Sequence, residues 1–407
     1  MIDNLSAGPL HSLSSQWRAC LYRVDVLGRR MKFGLFYQLQ VPRPWHARSE
    51  YEVYRQAIDQ VAFAEQEGFE SAWVAEHHFL EEVSHAAASD MILAAMAEHT
   101  STMRLGYGVA LMSSPLNHPL RVAERVATLD ILSNGRVELG TGRSTTSYQL
   151  SPFGIDLADT RGMWEESIEI IPRMWTEERF EHKGPYFNIP PRNVLPKPLQ
   201  KPHPPMWVAC TQPETATVAG EKGLGGLFMS SSGPARTKER IDLYRDALKT
   251  AKPVGAEVNS KVGIFIFSFC ASDDAAARSI GGPEALWYRQ SLAAIFNQEW
   301  DRLASVPDSY KYHAGSRTRF DADNAADYNK LIDSGTFCMG DPDACIKTLE
   351  EYAALDPDEV VLIMQAGRIP HDKIMESIRL FGREIIPEFK RREKAKLAGA
   401  TPPVSPA

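Results

Sequence analysis

From residue 31 onward, short runs of β-branched and aromatic residues alternate with stretches whose apolar positions recur at helical spacing. The strand-like runs fall at 31–37, 71–75, 103–111, 136–140, 205–210, 226–230, 261–270 and 359–364. Helical stretches lie near 50–67, 86–100, 119–132, 160–176, 214–222, 234–251, 273–300 and 371–390. Eight strands each followed by a helix predict a closed (β/α)8 TIM barrel, with its chemistry at the C-terminal strand ends and the loops beyond them. An open doubly wound sheet would carry a glycine-rich turn after its first strand, and Gly34-Leu-Phe-Tyr-Gln-Leu-Gln40 is not one. One domain over 31–390 is expected, between a flexible extension at 1–30 and a disordered tail at 391–407.

Two irregular stretches interrupt the alternation. The first, 184–205, carries Pro185, Pro190, Pro191, Pro196, Pro198, Pro202, Pro204 and Pro205, too many prolines for a helix interior. It predicts an ordered extended excursion. The second, 307–335, holds Tyr310, Tyr312, His313, Arg317, Arg319 and Phe320 and is longer than an ordinary connection. It reads either as an active-site lid or as a surface insertion. Both are expected at the rim.

Composition narrows the class of partner. Hydrophobic residues make up 43% and charged residues 24%, with a net charge of −7, so nothing resembles a basic footprint for nucleic acid. No run approaches the ~20 apolar residues that span a bilayer, so no membrane association is expected. Cys20, Cys210, Cys270, Cys338 and Cys345 are odd in number and form no C-x-x-C pair, which argues against a disulfide framework and for a reducing cytoplasm. Arg18, Arg23, Arg29 and Arg30 lie scattered without a continuous apolar core, a poor match to a secretory signal.

Candidate chemistry clusters after strands. Glu76-His77-His78-Phe79 follows the second strand directly, at the rim. Adjacent residues leaving a strand diverge, so at most one histidine readily faces the pocket while the other packs sideways; two histidines merely bonded to Glu76 are the alternative. No H-x-H or H-E-x-x-H pattern supports a metal. Gly140-Thr-Gly-Arg-Ser144 offers close backbone approach and one guanidinium fork, and Cys210-Thr-Gln-Pro-Glu-Thr215 opens a helix whose free N–H groups suit an anion or simply a cap. Gly106 and Gly108 mark a bulge or a close approach in the third strand. His118 is read as packing before Pro119, and Met163, Trp164, Met174 and Trp175 as packing against the barrel rather than touching substrate.

Nine landmarks then agree in order: Met31-Lys-Phe-Gly34, Trp73-Val-Ala-Glu-His-His-Phe79, Asn117-His-Pro119, Leu132-Ser-Asn-Gly-Arg136, Gly140-Thr-Gly-Arg143, Phe153-Gly154, Pro196-Lys-Pro198, Pro204-Pro-Met-Trp-Val208 and Gly340-Asp-Pro342. With them, the chain resembles the bacterial luciferase-like family of flavin-dependent monooxygenases. The resemblance implies a barrel that takes reduced FMN from a separate flavin reductase and uses a flavin hydroperoxide, formed with dioxygen, to oxygenate a small organic substrate. It implies His77 as the acid/base group, Arg143, Thr211 and Thr215 at the FMN phosphate, and Gly108 and Val109 against the flavin ring at a non-prolyl cis peptide. It further implies Ser230 and Tyr148 as cofactor contacts, Phe36 and His78 as substrate-pocket walls, and a homodimer. The family's reactive cysteine is Gly142 here, where a cavity or closer flavin approach is expected. A deazaflavin-dependent hydride-transfer enzyme and a non-catalytic flavin-binding paralogue are the alternatives.

Overall fold

A computed structural model describes residues 30–144, 146–302, 306–315 and 327–397. The 1–29 part of the expected N-terminal extension, and Arg317, Arg319 and Phe320 of the expected lid, lie outside the described residues. Eight parallel strands form the barrel: β1 (Lys32–Tyr37), β2 (Ser71–Val74), β3 (Arg104–Leu111), β4 (Val137–Gly142), β5 (Met206–Ala209), β6 (Gly225–Met229), β7 (Val262–Cys270) and β8 (Glu359–Ile363). Neighbours pair in the order β7-β8-β1-β2-β3-β4-β5-β6, and a β6–β7 pairing closes the ring. Strands buried on both faces read as near-continuous apolar runs, as Val262–Cys270 does. All eight predicted strands are present.

The barrel floor is filled by a paired arrangement of indoles and carboxylates. Trp73 and Trp207 meet edge to face at 5.6 Å, and their Nε1–H groups donate to Glu359 (2.9 Å) and Glu138 (2.7 Å) respectively. Glycine is required beside them, since a Cβ on Gly106 would stand 2.1 Å from Trp73 Cε3. Burial pushes the Glu359 carboxyl above its usual range, against the hydrogen bonds from Ser71 and Trp73.

Three features depart from the sequence expectations. The 184–205 stretch is ordered, beginning with an antiparallel hairpin of Phe180–Lys183 and Asn188–Arg192, but it does not build the rim. Its hairpin tip packs on the helix layer, with the Phe187 ring 5.3 Å from the His118 ring and the Tyr186 and Phe187 N–H groups donating to Glu166, while the later part feeds the start of β5 at the N-terminal end of the barrel. There Gln200 donates to Asp130 (2.7 Å) and to the carbonyl of Val137 at the start of β4 (2.8 Å). A further short strand, Phe337–Gly340, pairs with the C-terminal half of β7 and leads into the helix Pro342–Ala353. The C-terminal helix continues to Leu397, so residues 391–397 are not part of a disordered tail. Buried Ile386 and Phe389 anchor it, and Glu388 accepts from Arg391 (2.6 Å) and Arg392 (2.6 Å).

Candidate active site

The C-terminal end of the barrel holds two linked groups of side chains. In the first, a pocket is lined by Gly142, Arg143, Thr211, Thr215, Trp164 and Tyr310, among others. β4 ends in Gly142, so Arg143 leaves the strand at the rim. Its guanidinium lies 4.9 Å over the Tyr310 ring, and Nη1 is buried without a hydrogen-bond partner among the described residues. Desolvation lowers its pKa, partly opposed by Tyr310. A buried cation with an unsatisfied donor is costly unless an anion meets it.

Opposite Arg143, the helix Pro213–Glu221 starts with Pro213 at its first turn and no side-chain cap, so its leading N–H groups are not bonded by a capping side chain. Thr211 and Thr215 flank that start in the same pocket. Glu214 also lines it, and Arg161 neutralises Glu214 through a direct hydrogen bond. The three residues expected at a phosphate are thus brought together. Trp164, expected only to pack against the barrel, lines the pocket while its Nε1 donates to Thr141 (3.1 Å), since it lies near the start of the helix that leaves the rim after β4. Met174 and Trp175 are core residues, as expected.

The pocket is roofed by Asp308–Tyr310, with Tyr310 in its lining and the Ser309 carbonyl 3.5 Å from Arg143 Nη2, and the short helix Lys311–Gly315 follows. The Tyr310 hydroxyl donates to the carbonyl of Ser144 (2.7 Å) and pairs with Thr160 (2.9 Å). Tyr310 also packs in a small apolar cluster with Leu150, Ile155 and Leu157. Of the two readings of 307–335, its described first part is a roof over the site.

The second group surrounds the histidines. Phe79 takes a left-handed φ of 63°, a turn that swings the chain sharply after the doublet. His78 is buried, with Nε2 3.3 Å from Glu76 and its ring 5.4 Å from Phe153. Glu76 in turn accepts from the Leu111 N–H (2.9 Å) and Asn117 (2.7 Å). His78 therefore packs sideways against Glu76 and Phe153, as expected for one of the two histidines. His77 is only partly buried; its Nδ1 lies 3.1 Å from Gln149 Oε1, and burial lowers its pKa, against the Gln149 hydrogen bond. His118 caps its own helix, accepting from the Leu120 N–H (3.2 Å).

Between the two groups lies β3. The Gly108–Val109 peptide is cis, and the β3–β4 register shifts between Tyr107 and Ala110. Phe36 is buried with its ring 3.0 Å from where a Gly108 Cβ would stand. Gly106, by contrast, answers to the Trp73 indole rather than to a ligand. A Cβ on Gly142 would sit 2.6 Å from Val109 Cγ2. The space a thiol side chain would need at position 142 is therefore filled by valine, correcting the expected cavity.

Two expected cofactor contacts lie apart from the pocket. Ser230 pairs its hydroxyl with Tyr352 (2.5 Å) and accepts from Thr237 (3.4 Å), which turns it toward the helix layer. Tyr148 is 43% exposed, and its neighbour Gln149 turns inward instead. Sequence reasoning missed Gln149, because an amide signals nothing until its partners are known. Among the described residues no cluster of metal-binding side chains occurs, and the four described cysteines are free and buried.

The model of one family, described as luciferase-like monooxygenase, matches residues 31–359. The chain belongs to that family of monooxygenases. Among its relatives is the oxygenase component of a flavin-dependent trigonelline monooxygenase from Acinetobacter baylyi, 30% identical over 47% of this chain and 52% of the relative. The oxygenating constituent of 3,6-diketocamphane monooxygenase from Pseudomonas putida, solved in complex with FMN, superposes with a TM-score of 0.71 at 20% identity, covering 88% of this chain and 99% of that one. A coenzyme F420-dependent tetrahydromethanopterin reductase from Methanopyrus kandleri superposes with a TM-score of 0.65 at 20% identity, covering 88% and 99%. These two structures share the luciferase-like fold. Among the described residues no helix is long and apolar enough to cross a membrane.

Proposed function

We propose that this luciferase-like monooxygenase is the oxygenase of a two-component system, receiving reduced FMN from a separate reductase. Arg143 Nη1, buried and without a partner among the described residues, carries the proposal: with Thr211, Thr215 and an uncapped helix start it fits a phosphate. Reduced FMN supplies the electrons that let dioxygen deliver one oxygen atom to an organic substrate. Arg143, Thr211 and Thr215 hold the phosphate arm. Gly108 and Val109 present a flat backbone edge to the ring system, with Phe36 behind it. His77, whose neutral form burial favours by lowering its pKa, takes or returns a proton at the reacting oxygen. Tyr310 and its helical roof exclude water from the site.

The trigonelline enzyme named as an oxygenase component favours the two-component reading. The F420-dependent neighbour favours a second reading, hydride transfer from a deazaflavin on the same barrel. Anaerobic titration with reduced FMN and with reduced F420, followed by oxygen uptake, separates the two. Tight FMN binding with oxygen consumption supports the monooxygenase; F420 binding without an oxygen requirement overturns it.

A further inference from the structure

Gln149 lies on the short helix Ser147–Leu150, 1% exposed. Its side-chain oxygen has two neighbours: the backbone N–H of His78 at 3.0 Å and Nδ1 of His77 at 3.1 Å. A peptide N–H can only donate, so the atom facing it must be the amide oxygen. The amide nitrogen points the other way, donating to Ser144 Oγ (3.1 Å) and Thr146 Oγ1 (3.3 Å). Both ends of the amide are therefore committed, and a flip would set an NH2 against the His78 N–H in a buried site.

An amide oxygen cannot donate, so the short contact with His77 requires the imidazole hydrogen to be on Nδ1. We infer that Gln149 is the positioning residue that fixes the tautomer of His77, holding the hydrogen on Nδ1 and leaving Nε2 as a proton acceptor. Nε2 makes no hydrogen bond among the described residues. A resting lone pair there suits a group that receives a proton first and returns it later. The titratable groups facing His77 are His78 and Glu76. Glu76 is held by Leu111, Asn117 and His78 and makes no hydrogen bond to the His77 ring, on which it acts only through its charge. Ser144 belongs to both groups of the site, lining the Arg143 pocket and accepting from Gln149, so one loop aligns phosphate arm and imidazole.

The catalytic meaning of this tautomer rests on the proposed role of His77, but its test needs neither flavin nor turnover. Protein labelled with 15N-histidine gives ring nitrogen shifts that separate protonated from bare nitrogens, and His77→Gln identifies the His77 signals by their loss. The expected wild-type pattern is a protonated Nδ1 and a bare Nε2. In Gln149→Leu the acceptor is gone, and the Nε2–H form should become populated. In Gln149→Glu the acceptor is kept and gains charge, so the Nδ1–H form should persist with a raised His77 pKa. A wild-type Nε2–H tautomer, or an unchanged tautomer in the leucine variant, overturns the inference. Should the leucine variant not fold, an unmoved or lowered His77 pKa in Gln149→Glu overturns it as well. The expected tautomer together with unimpaired oxygenation by His77→Ala would leave the inference standing and remove only the role proposed for His77.

Discussion

At the scale of single residues, the site is defined by groups whose polar needs the chain leaves open. Among the described residues, Arg143 Nη1 is a buried donor without a partner and His77 Nε2 makes no hydrogen bond. His77→Ala removes the second without touching the first, so affinity for reduced FMN should stay close to wild type while oxygenation slows by about 10²–10⁴-fold. Parallel titration and single-turnover measurements check this; an equal loss in both would make His77 a binding or folding residue. Arg143, Thr211 and Thr215 were legible in the sequence because a glycine turn and a helix start declare themselves by residue type and order. Gln149 is not legible there; the resemblance points instead to its neighbour Tyr148 as a cofactor contact, and that side chain is 43% exposed. An amide's role depends on which backbone group meets it, and neighbouring residues on a helix face different directions.

Among elements, position relative to a strand decides function. The proline-rich stretch and the Tyr310 segment look equally irregular in sequence, yet one enters β5 from below and the other reaches across the rim. The order of elements does not carry that distinction, since both segments follow a helix and precede a strand. How the Tyr310 segment docks was not legible, because it depends on a hydroxyl reaching the Ser144 carbonyl from 166 residues away. Tyr310→Phe keeps the ring over Arg143 but strands that buried carbonyl, a loss of about 1–3 kcal/mol in local docking. Hydrogen exchange across 306–315 should rise accordingly, and unchanged protection would show that the ring alone holds the roof.

For the whole molecule, the alternation of apolar runs and helices specified a parallel sheet covered on both faces, and the count of eight strands with no glycine-rich turn after the first pointed to the closed barrel over an open doubly wound sheet. Its floor was less legible: Glu138 and Glu359 are buried carboxylates at the starts of β4 and β8 that accept from Trp207 and Trp73. The raised pKa of Glu359 has a sign that can be tested. A carboxyl whose folded pKa lies above its unfolded value stabilises the fold fully below the unfolded pKa, about 4.3, and loses that contribution as pH rises through the folded value. Glu359→Gln has no proton to lose. Its stability relative to wild type should therefore increase as pH rises above about 4, read from urea unfolding at a series of pH values. A difference independent of pH would mean that Glu359 titrates like an exposed glutamate.

The claim that ties these scales together is that the Arg143 pocket takes the phosphate of FMN. Anaerobic calorimetric titration of reduced FMN and reduced riboflavin, against wild type and Arg143→Ala, addresses it without requiring a substrate. Wild type should prefer FMN by at least about tenfold, and the preference should collapse in Arg143→Ala, the expected loss of a charge-assisted contact of roughly 1.5–3 kcal/mol. Equal affinity of wild type for the two flavins, or an undiminished preference in the variant, would contradict it.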